Sequence, residues 1–307
     1  MAILRAKPLE ISPLIKWAGG KKRLAAIIQE EAEKKVDFEN IDTYVEPFAG
    51  GASMFLHLAS KYEFKRQVIM DINPALINLY RQVRDNLREV TAGLDKIQVA
   101  YNALPENDDF EAKKAYFYEA RTQFNKILID GDGDLIQQAV LFIFLNKTDF
   151  NGLYRVNSKG LFNVPFGRRK SINLYDNNNI HQFSKLLQNT EILLGDYRNT
   201  GKYIGDRTFF YFDPPYRPLT DSASFTSYAK STFNDDSQRE LATYVMKIAN
   251  AGTHFALSNS DPHQSDKNDD FFDNLYKDFT ICRIQAARMI SARARGRGSV
   301  SELVITN

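Results

Sequence analysis

Thr43-Tyr44-Val45-Glu46-Pro47-Phe48-Ala49-Gly50-Gly51-Ala52-Ser53-Met54-Phe55-Leu56-His57-Leu58-Ala59-Ser60-Lys61 is the stretch that decides the fold. Thr43 to Glu46 has the character of a short strand, which breaks at Pro47 into a glycine pair. Ala52 to Lys61 then carries helical spacing, with Met54, Phe55 and Leu58 on one side. Gln67 to Met70 reads as a second short strand ending at Asp71. Pro74 occupies the first turn of a helix predicted to run to about Val90. Strand, turn, helix, strand and helix within ~45 residues open a doubly wound parallel sheet.

Further along the chain the texture changes. Residues 110–130 and 135–145 read as aromatic-rich helices separated by the breaker Gly131-Asp132-Gly133. Residues 151–167 read as a turn-rich hairpin: a short strand Leu153-Tyr154-Arg155-Val156, the turn Asn157-Ser158-Lys159-Gly160, and a return over 161–164 before Pro165. Sheet texture resumes at 191–194, 208–212, 254–258, 280–286 and 301–306. The sequence thus predicts one α/β domain, residues 1–84 and 188–307, interrupted by an insertion over 85–187.

The 307 residues are 43% hydrophobic, 25% charged and 12% aromatic, which excludes a disordered or low-complexity chain. The single cysteine, Cys282, cannot form an internal disulfide. The longest strictly apolar run, 139–145, falls far short of a bilayer span. A soluble, cytoplasmic protein with no membrane contact is expected. Net charge is only +2, yet five arginines (Arg283, Arg288, Arg293, Arg295, Arg297) follow one another without an intervening acid, and Arg168-Arg169-Lys170 makes a second basic knot. Such patches suit a polyanionic partner, and equally suit plain solubilisation.

Three short segments carry chemistry. At Gly50-Gly51 the absent side chains let backbone approach a ligand, although a tight turn alone has the same requirement. Asp71, 21 positions after Gly50 and at the tip of the next strand, is placed to accept hydrogen bonds from ribose hydroxyls. The incomplete glycine pattern fits a nucleoside without a pyrophosphate. Second, Tyr211-Phe212-Asp213-Pro214-Pro215-Tyr216 closes an apolar strand. Two prolines remove two amide donors, so an acid, a rigid carbonyl and an aromatic face follow in order. That makes a receptor for an amino group on a flat ring, against the alternative of an incidental acid at a strand end. Third, Lys16-Trp17-Ala18-Gly19-Gly20-Lys21 contains the only tryptophan, which could also be a core anchor.

Taken in order, Lys16 to Lys21, Glu46 to Gly51, Asp71-Ile72-Asn73 and Asp213 to Tyr216 resemble the Dam-type, alpha-class (D12) DNA adenine N6-methyltransferases. Asn151-Gly152-Leu153-Tyr154-Arg155, Phe162 to Arg168, and Phe225-Thr226-x-Tyr228 match as well, so the likeness spans most of the chain. It implies a Rossmann-like methyltransferase sheet with an inserted helical plus β-hairpin target-recognition domain. It also implies transfer of the methyl group of S-adenosyl-L-methionine to the amino nitrogen of an adenine flipped out of double-stranded DNA. By the same resemblance Trp17 and Lys21 line the cofactor site, Asp71 binds ribose, and the turn carrying Phe48 and Gly50 passes beneath the methionine moiety. Asp196 lies near the cofactor adenine, and Asp213 stands between cofactor and base.

The chemistry assigns roles to the same residues. The adenine amino lone pair is delocalised, and its acidity is too remote from a carboxylate's for prior deprotonation. Asp213 and the Pro214 carbonyl would instead accept one amino hydrogen each, localising the lone pair and stabilising the charge that develops on nitrogen. Tyr216 would offer a stacking face. No metal is required, and the four histidines are scattered. Residues 219–232, with Phe225 and Tyr228, are expected to close over the base and to disorder without DNA, or else to form a passive loop.

Target reading falls to the insertion. The resemblance places Arg155 on a guanine, Phe150 and Asn151 beside the target adenine, and Leu153 and Pro165 in apolar contact. Lys16 is placed at the outermost guanine, and Arg168, Lys170, Arg295 and Arg297 on phosphates. GATC is the favoured site, with longer related sites such as GATATC open, and a cognate restriction endonuclease is a conceivable partner. Two other readings stand: methylation of another amino group (N4 of cytosine, or a translation-machinery substrate), and a catalytically inactive DNA-binding module. Intact Asp213, Tyr216 and Trp17 argue against the last.

Overall fold

The computed structural model describes residues 1–105, 110–131, 133–217, 233–287 and 299–307. Alternating strands and helices begin with β1 (Ile3–Leu4), α1 (Ala25–Glu33), β2 (Thr43–Glu46), α2 (Ser53–Lys61), β3 (Tyr62–Glu63), β4 (Arg66–Asp71) and α3 (Pro74–Asp85). Between α3 and the next strand lie α4 (Leu87–Asn102), α5 (Glu111–Asp130), α6 (Leu135–Thr148) and α7 (Asn177–Leu187). The sheet then resumes with β5 (Thr190–Leu194) and β6 (Thr208–Phe212), followed by α8 (Asp235–Asn250) and β7 (His254–Ser260). A short α9 (Phe271–Leu275), β8 (Thr280–Ala287) and β9 (Ser299–Thr306) complete the chain.

Among the described residues seven strands form one sheet in the order β5-β4-β2-β6-β7-β9-β8. β5, β4, β2, β6 and β7 run parallel, and β6 is buried along its whole length, as a strand covered on both faces must be. From β2 the chain moves outward through β4 to β5, then returns to the other side of β2 for β6 and β7. The switch point therefore lies between the carboxyl ends of β2 and β6, where a crevice opens in such sheets.

The doubly wound α/β architecture is as expected, with three differences in detail. β9 runs against both its neighbours, because β8 and β9 are consecutive strands paired antiparallel from Thr280↔Thr306 to Ala287↔Ser299. The single helix expected from Pro74 to Val90 is two, because Asn86 leaves helical geometry (φ −132°, ψ 43°) and spends its amide on the Gln82 side chain, 2.7 Å away. The expected hairpin strands do not form a ladder either. The two sides pair instead at the isolated antiparallel bridges Asp149↔Phe166 and Val156↔Phe162, with Phe150 N, Gly167 N, Asn157 N and Asn163 N donating to the carbonyls of Pro165, Thr148, Leu161 and Arg155. On its outer side the segment is braced by Asn125 of α5, whose side chain accepts from Phe162 N at 2.7 Å and donates to the Phe162 carbonyl at 3.0 Å.

α6 is buried from Gln138 to Asn146 and predominantly apolar, so it serves as the central helix of this stretch. One cluster of buried side chains runs from Phe55 of α2 through Leu76 and Leu79 of α3 to Phe142 and Phe144 of α6. The helices between α3 and β5 are therefore packed onto the sheet-flanking helices, and their loops are held against the carboxyl edge of the sheet. No helix among the described residues is long and apolar enough to cross a membrane.

Candidate active site

At the crevice predicted by the switch point lies a cavity of about 860 Å³. Its walls come from the 17–21 segment, the β2–α2 turn, the end of β4, the start of the turn after β5, and residues 213–216 after β6. Trp17, Lys21, Phe48, Gly50, Asp71, Asp196, Asp213, Pro214 and Tyr216 all line it. Residues separated by up to 199 positions in sequence are thus brought to one place by the parallel strands.

The glycine turn is shaped by a direct requirement. Gly50 has φ +45°, and a Cβ there would stand 2.8 Å from the Trp17 ring. Trp17 is in turn stacked on Tyr154 (centroids 5.5 Å apart, 22° between planes) and edge-on to Phe142. The tryptophan is therefore both a core anchor and a wall of the cavity. Asp71 spans the turn, accepting from Gly50 N at 3.0 Å on one oxygen and from Asn73 N at 2.9 Å on the other. Burial raises its pKa, and these two amides pull against the rise.

Asp213 is held by Lys21, whose Nζ lies 3.1 Å from Oδ1 and is itself only 3% exposed. Lys21 also donates to the Gly19 carbonyl at 2.5 Å and stands 4.6 Å from the centroid of the Tyr216 ring. Burial pushes the Asp213 carboxyl above its ordinary pKa, the Lys21 ammonium opposes this, and the charge of Glu302 adds to it. Among the described residues nothing donates to the Pro214 carbonyl, whereas that of Pro215 is taken by Gln238 at 3.0 Å. An acid and an unclaimed carbonyl thus stand side by side.

Two further acids belong here that the sequence left without a role. Glu46, 2% exposed at the end of β2, accepts from the Tyr44 hydroxyl at 2.5 Å, and burial lifts its pKa to about 8. Glu302 of β9 accepts from the Tyr216 hydroxyl at 2.7 Å and lies 3.9 Å from Lys21. Its only advance signal is being the one charged residue of an otherwise neutral strand. Asp196 is half-exposed and paired with Arg198 at 3.1 Å. With Glu46 protonated near neutrality, Asp71, Asp196 and Asp213 stand against Lys21 and Arg198, a small excess of acids that suits a cationic ligand.

The α6 end and the segment after it bring a second set of predicted residues together. Asn151 (φ 67°) and Gly152 (φ 66°) form the Asn-Gly bend expected of a tight turn. Buried Asp149 accepts from Leu153 N at 3.2 Å, and its pKa is pushed by burial to about 7. Asn146 of α6 ties Lys16 to this bend, accepting from Lys16 N at 2.8 Å and donating to the carbonyls of Lys16 and Gly152. Gly152 leaves no room for a side chain beneath Lys16. Phe150 is 55% exposed, Leu153 is partly buried against the core, and Pro165 is exposed. Arg155 gives Nε to Asn163 Oδ1 at 2.7 Å. Arg168 and Lys170 are exposed, the former 5.2 Å from the Phe110 ring. Arg288, Arg293, Arg295, Arg297, Phe225, Tyr228 and the whole 219–232 segment lie outside the described residues.

One group of metal-type side chains occurs among the described residues, His263, Asp270 and Asp273, away from the cavity. Arg283 already occupies it as the cation, 2.7 Å from Asp273 and 2.9 Å from His263 Nδ1.

The family model described as D12 class N6 adenine-specific DNA methyltransferase matches residues 17–290. The chain is 41% identical to the Type II methyltransferase M.MjaIII of Methanocaldococcus jannaschii, over 97% of this chain and all of that protein. It is 34% identical to the Type II methyltransferase M1.LlaDCHI of Lactococcus lactis (100% and 99% covered) and 31% identical to the DNA adenine methylase of Escherichia coli (94% and 93% covered).

Proposed function

Because the chain belongs to the D12 class of N6 adenine-specific DNA methyltransferases, we propose that it methylates N6 of an adenine swung out of duplex DNA, with S-adenosyl-L-methionine as donor and GATC as its site. The observation that carries this reading is the convergence, on one cavity, of the Gly50 turn with Asp213, the unclaimed Pro214 carbonyl and Tyr216. The residues present fit the donor: a glycine cradle against Trp17, and acids that favour a positive charge. When bound, the donor supplies a methyl group activated on a sulfonium.

Trp17, Phe48, Gly50 and Asp71 would hold that donor, with Asp71 accepting from ribose hydroxyls on lone pairs its backbone partners leave over. Asp196 would border its adenine. Asp213 Oδ and the Pro214 carbonyl accept the two amino hydrogens of the target, pulling the nitrogen toward tetrahedral geometry. Lys21 opposes the burial that raises the Asp213 pKa and so favours the ionised acceptor as positive charge grows on N6. The surplus proton on N6 then leaves by way of an Asp213 oxygen. Extruding the base costs a few kcal/mol, and the Tyr216 ring recovers part of it by stacking.

The Asn151 bend and Arg155 would read the major groove, with Phe150 beside the vacated position, Leu153 and Pro165 in apolar contact and Lys16 at the outer guanine. Arg168, Lys170, Arg295 and Arg297 would position the duplex through phosphates. Residues 1–84 and 188–307 are proposed as the catalytic unit and 85–187 as the target-recognition insertion. The type II names of two relatives support a cognate restriction endonuclease acting on the same site.

The test is transfer of labelled methyl from S-adenosyl-L-methionine to duplexes carrying GATC or single-base variants of it, followed by nucleoside digestion. 6-Methyladenine confined to GATC is expected. 4-Methylcytosine, or tight binding without transfer, would overturn the assignment, and label on a longer related site alone would replace GATC.

A further inference from the structure

Glu302 is a charged side chain on an interior-edge position of the sheet, facing Ser260 on β7 and Ile284 on β8, and it is only 17% exposed. Taking a carboxylate out of water is costly unless its partners require it. Its partners are two residues of the cavity. Its Oε2 accepts from the Tyr216 hydroxyl at 2.7 Å and lies 3.9 Å from Lys21 Nζ. Lys21 has a nearer carboxylate, Asp213 at 3.1 Å, and its Nζ sits 4.6 Å from the Tyr216 ring centroid. One buried ammonium therefore faces two carboxylates and one aromatic ring, and Glu302 touches the far end of that ring.

This arrangement has two physical consequences. A tyrosine ring on the short segment after β6 could rotate about its side-chain bonds, and a hydrogen bond at its hydroxyl removes that freedom. Lys21, offered a second counter-charge, is not spent wholly on Asp213, so Asp213 retains accepting capacity toward the cavity. We infer that Glu302 is a positioning residue of the methyl-transfer site, setting the plane of the Tyr216 ring and sharing Lys21 with Asp213. The inference rests on the function proposed above, in which Asp213 and Tyr216 meet the target base.

The experiment uses the full-length chain, S-adenosyl-L-methionine and a GATC duplex, and compares wild type, Glu302→Ala, Glu302→Gln, Tyr216→Phe and the double variant Glu302→Ala/Tyr216→Phe. Single-turnover rate, KM for the donor and melting temperature are read for each. Losing a hydrogen bond to a charged acceptor that matters in the transition state should slow Glu302→Ala by about 10-fold or more, with donor KM within about 3-fold of wild type. The double variant should be no slower than the slower single variant, because both changes remove the same contact. Glu302→Gln, which keeps an acceptor for the hydroxyl but loses the counter-charge, should fall between wild type and Glu302→Ala.

A Glu302→Ala rate within about 2-fold of wild type, or a double variant whose effects multiply, would overturn the inference. Should Glu302→Ala not fold, a Glu302→Gln rate equal to wild type overturns the shared-lysine part and an unaffected Tyr216→Phe the ring-plane part. If the wild type itself transfers no methyl group to duplex DNA, it is the proposed function that fails.

Discussion

Replacing Glu46 by glutamine removes a proton-binding group whose affinity folding raises. In the unfolded chain this carboxyl has its ordinary pKa of 4.5, and in the folded chain burial, helped by the charges of Asp213 and Asp71 and opposed by the Tyr44 hydroxyl, raises it to about 8. Between those two values the folded chain holds a proton that the unfolded chain has released. Stability is therefore highest below the unfolded value and declines as pH rises through the window, levelling off above the folded value. At roughly 1.4 kcal/mol per pH unit the full decline is about 5 kcal/mol, a large part of the net stability of an ordinary domain. Glutamine is close in volume and its carbonyl can still accept from Tyr44, 2.5 Å away, but it does not titrate. Urea midpoints for wild type and Glu46→Gln, taken from about pH 5 to about pH 9 without ligand, should converge at the acid end and diverge toward the alkaline end. The variant should be the more stable there, by up to about 5 kcal/mol. Two curves that stay parallel across the range would refute the reasoning, for Glu46 would then be ionised throughout despite its burial.

Asp213→Ala should lower methyl transfer by about 10³-fold, because it removes an acceptor aimed at developing charge. Gel-shift affinity for duplex DNA should change little, and an equal loss of both would contradict its role. Gly50→Ala places a Cβ 2.8 Å from the Trp17 ring at a residue with φ +45°. The conformation alone costs ~1–2 kcal/mol; displaced Trp17 fluorescence and donor affinity weakened by about 10-fold in calorimetry are expected, and an unchanged affinity would detach the turn from the donor site. Arg155→Ala should relax discrimination at one guanine by ~1–3 kcal/mol in competition between single-base variants of the duplex. A loss uniform over all sequences would make Arg155 a phosphate contact.

Much of this protein is local, and what is local could be read directly. Strand residues 43–46, the proline break, the glycine pair and the helix after it follow from side-chain pattern and backbone preference within a few residues. The Asp213-Pro214-Pro215-Tyr216 corner is likewise rigid by its own composition. Those pieces sufficed to predict a doubly wound sheet and part of its crevice (Gly50, Asp71, Asp213, Pro214 and Tyr216), whereas Trp17, Lys21 and Asp196 came only with the family resemblance. The bracing of the irregular hairpin was beyond reach, because it comes from Asn125 of a helix thirty-seven positions away. So was the split of one predicted helix at Asn86, where an asparagine compatible with helix instead turned the chain.

Tertiary structure alone decided how charge is distributed at the site. Lys21, Asp213 and Glu302 come from the two ends and the later middle of the chain, and only the sheet order, with β9 reversed beside β7, brings their side chains within ion-pair reach. Glu46 is an ordinary acid in the sequence and is held protonated near neutrality by its burial, with the charges of Asp213 and Asp71 adding to the effect. Pattern along a chain is set by short-range sterics and hydrophobicity, which each residue carries with it. The state of a charge depends on how much water is left around it and on which distant groups packing has placed nearby, and those are properties of the folded whole.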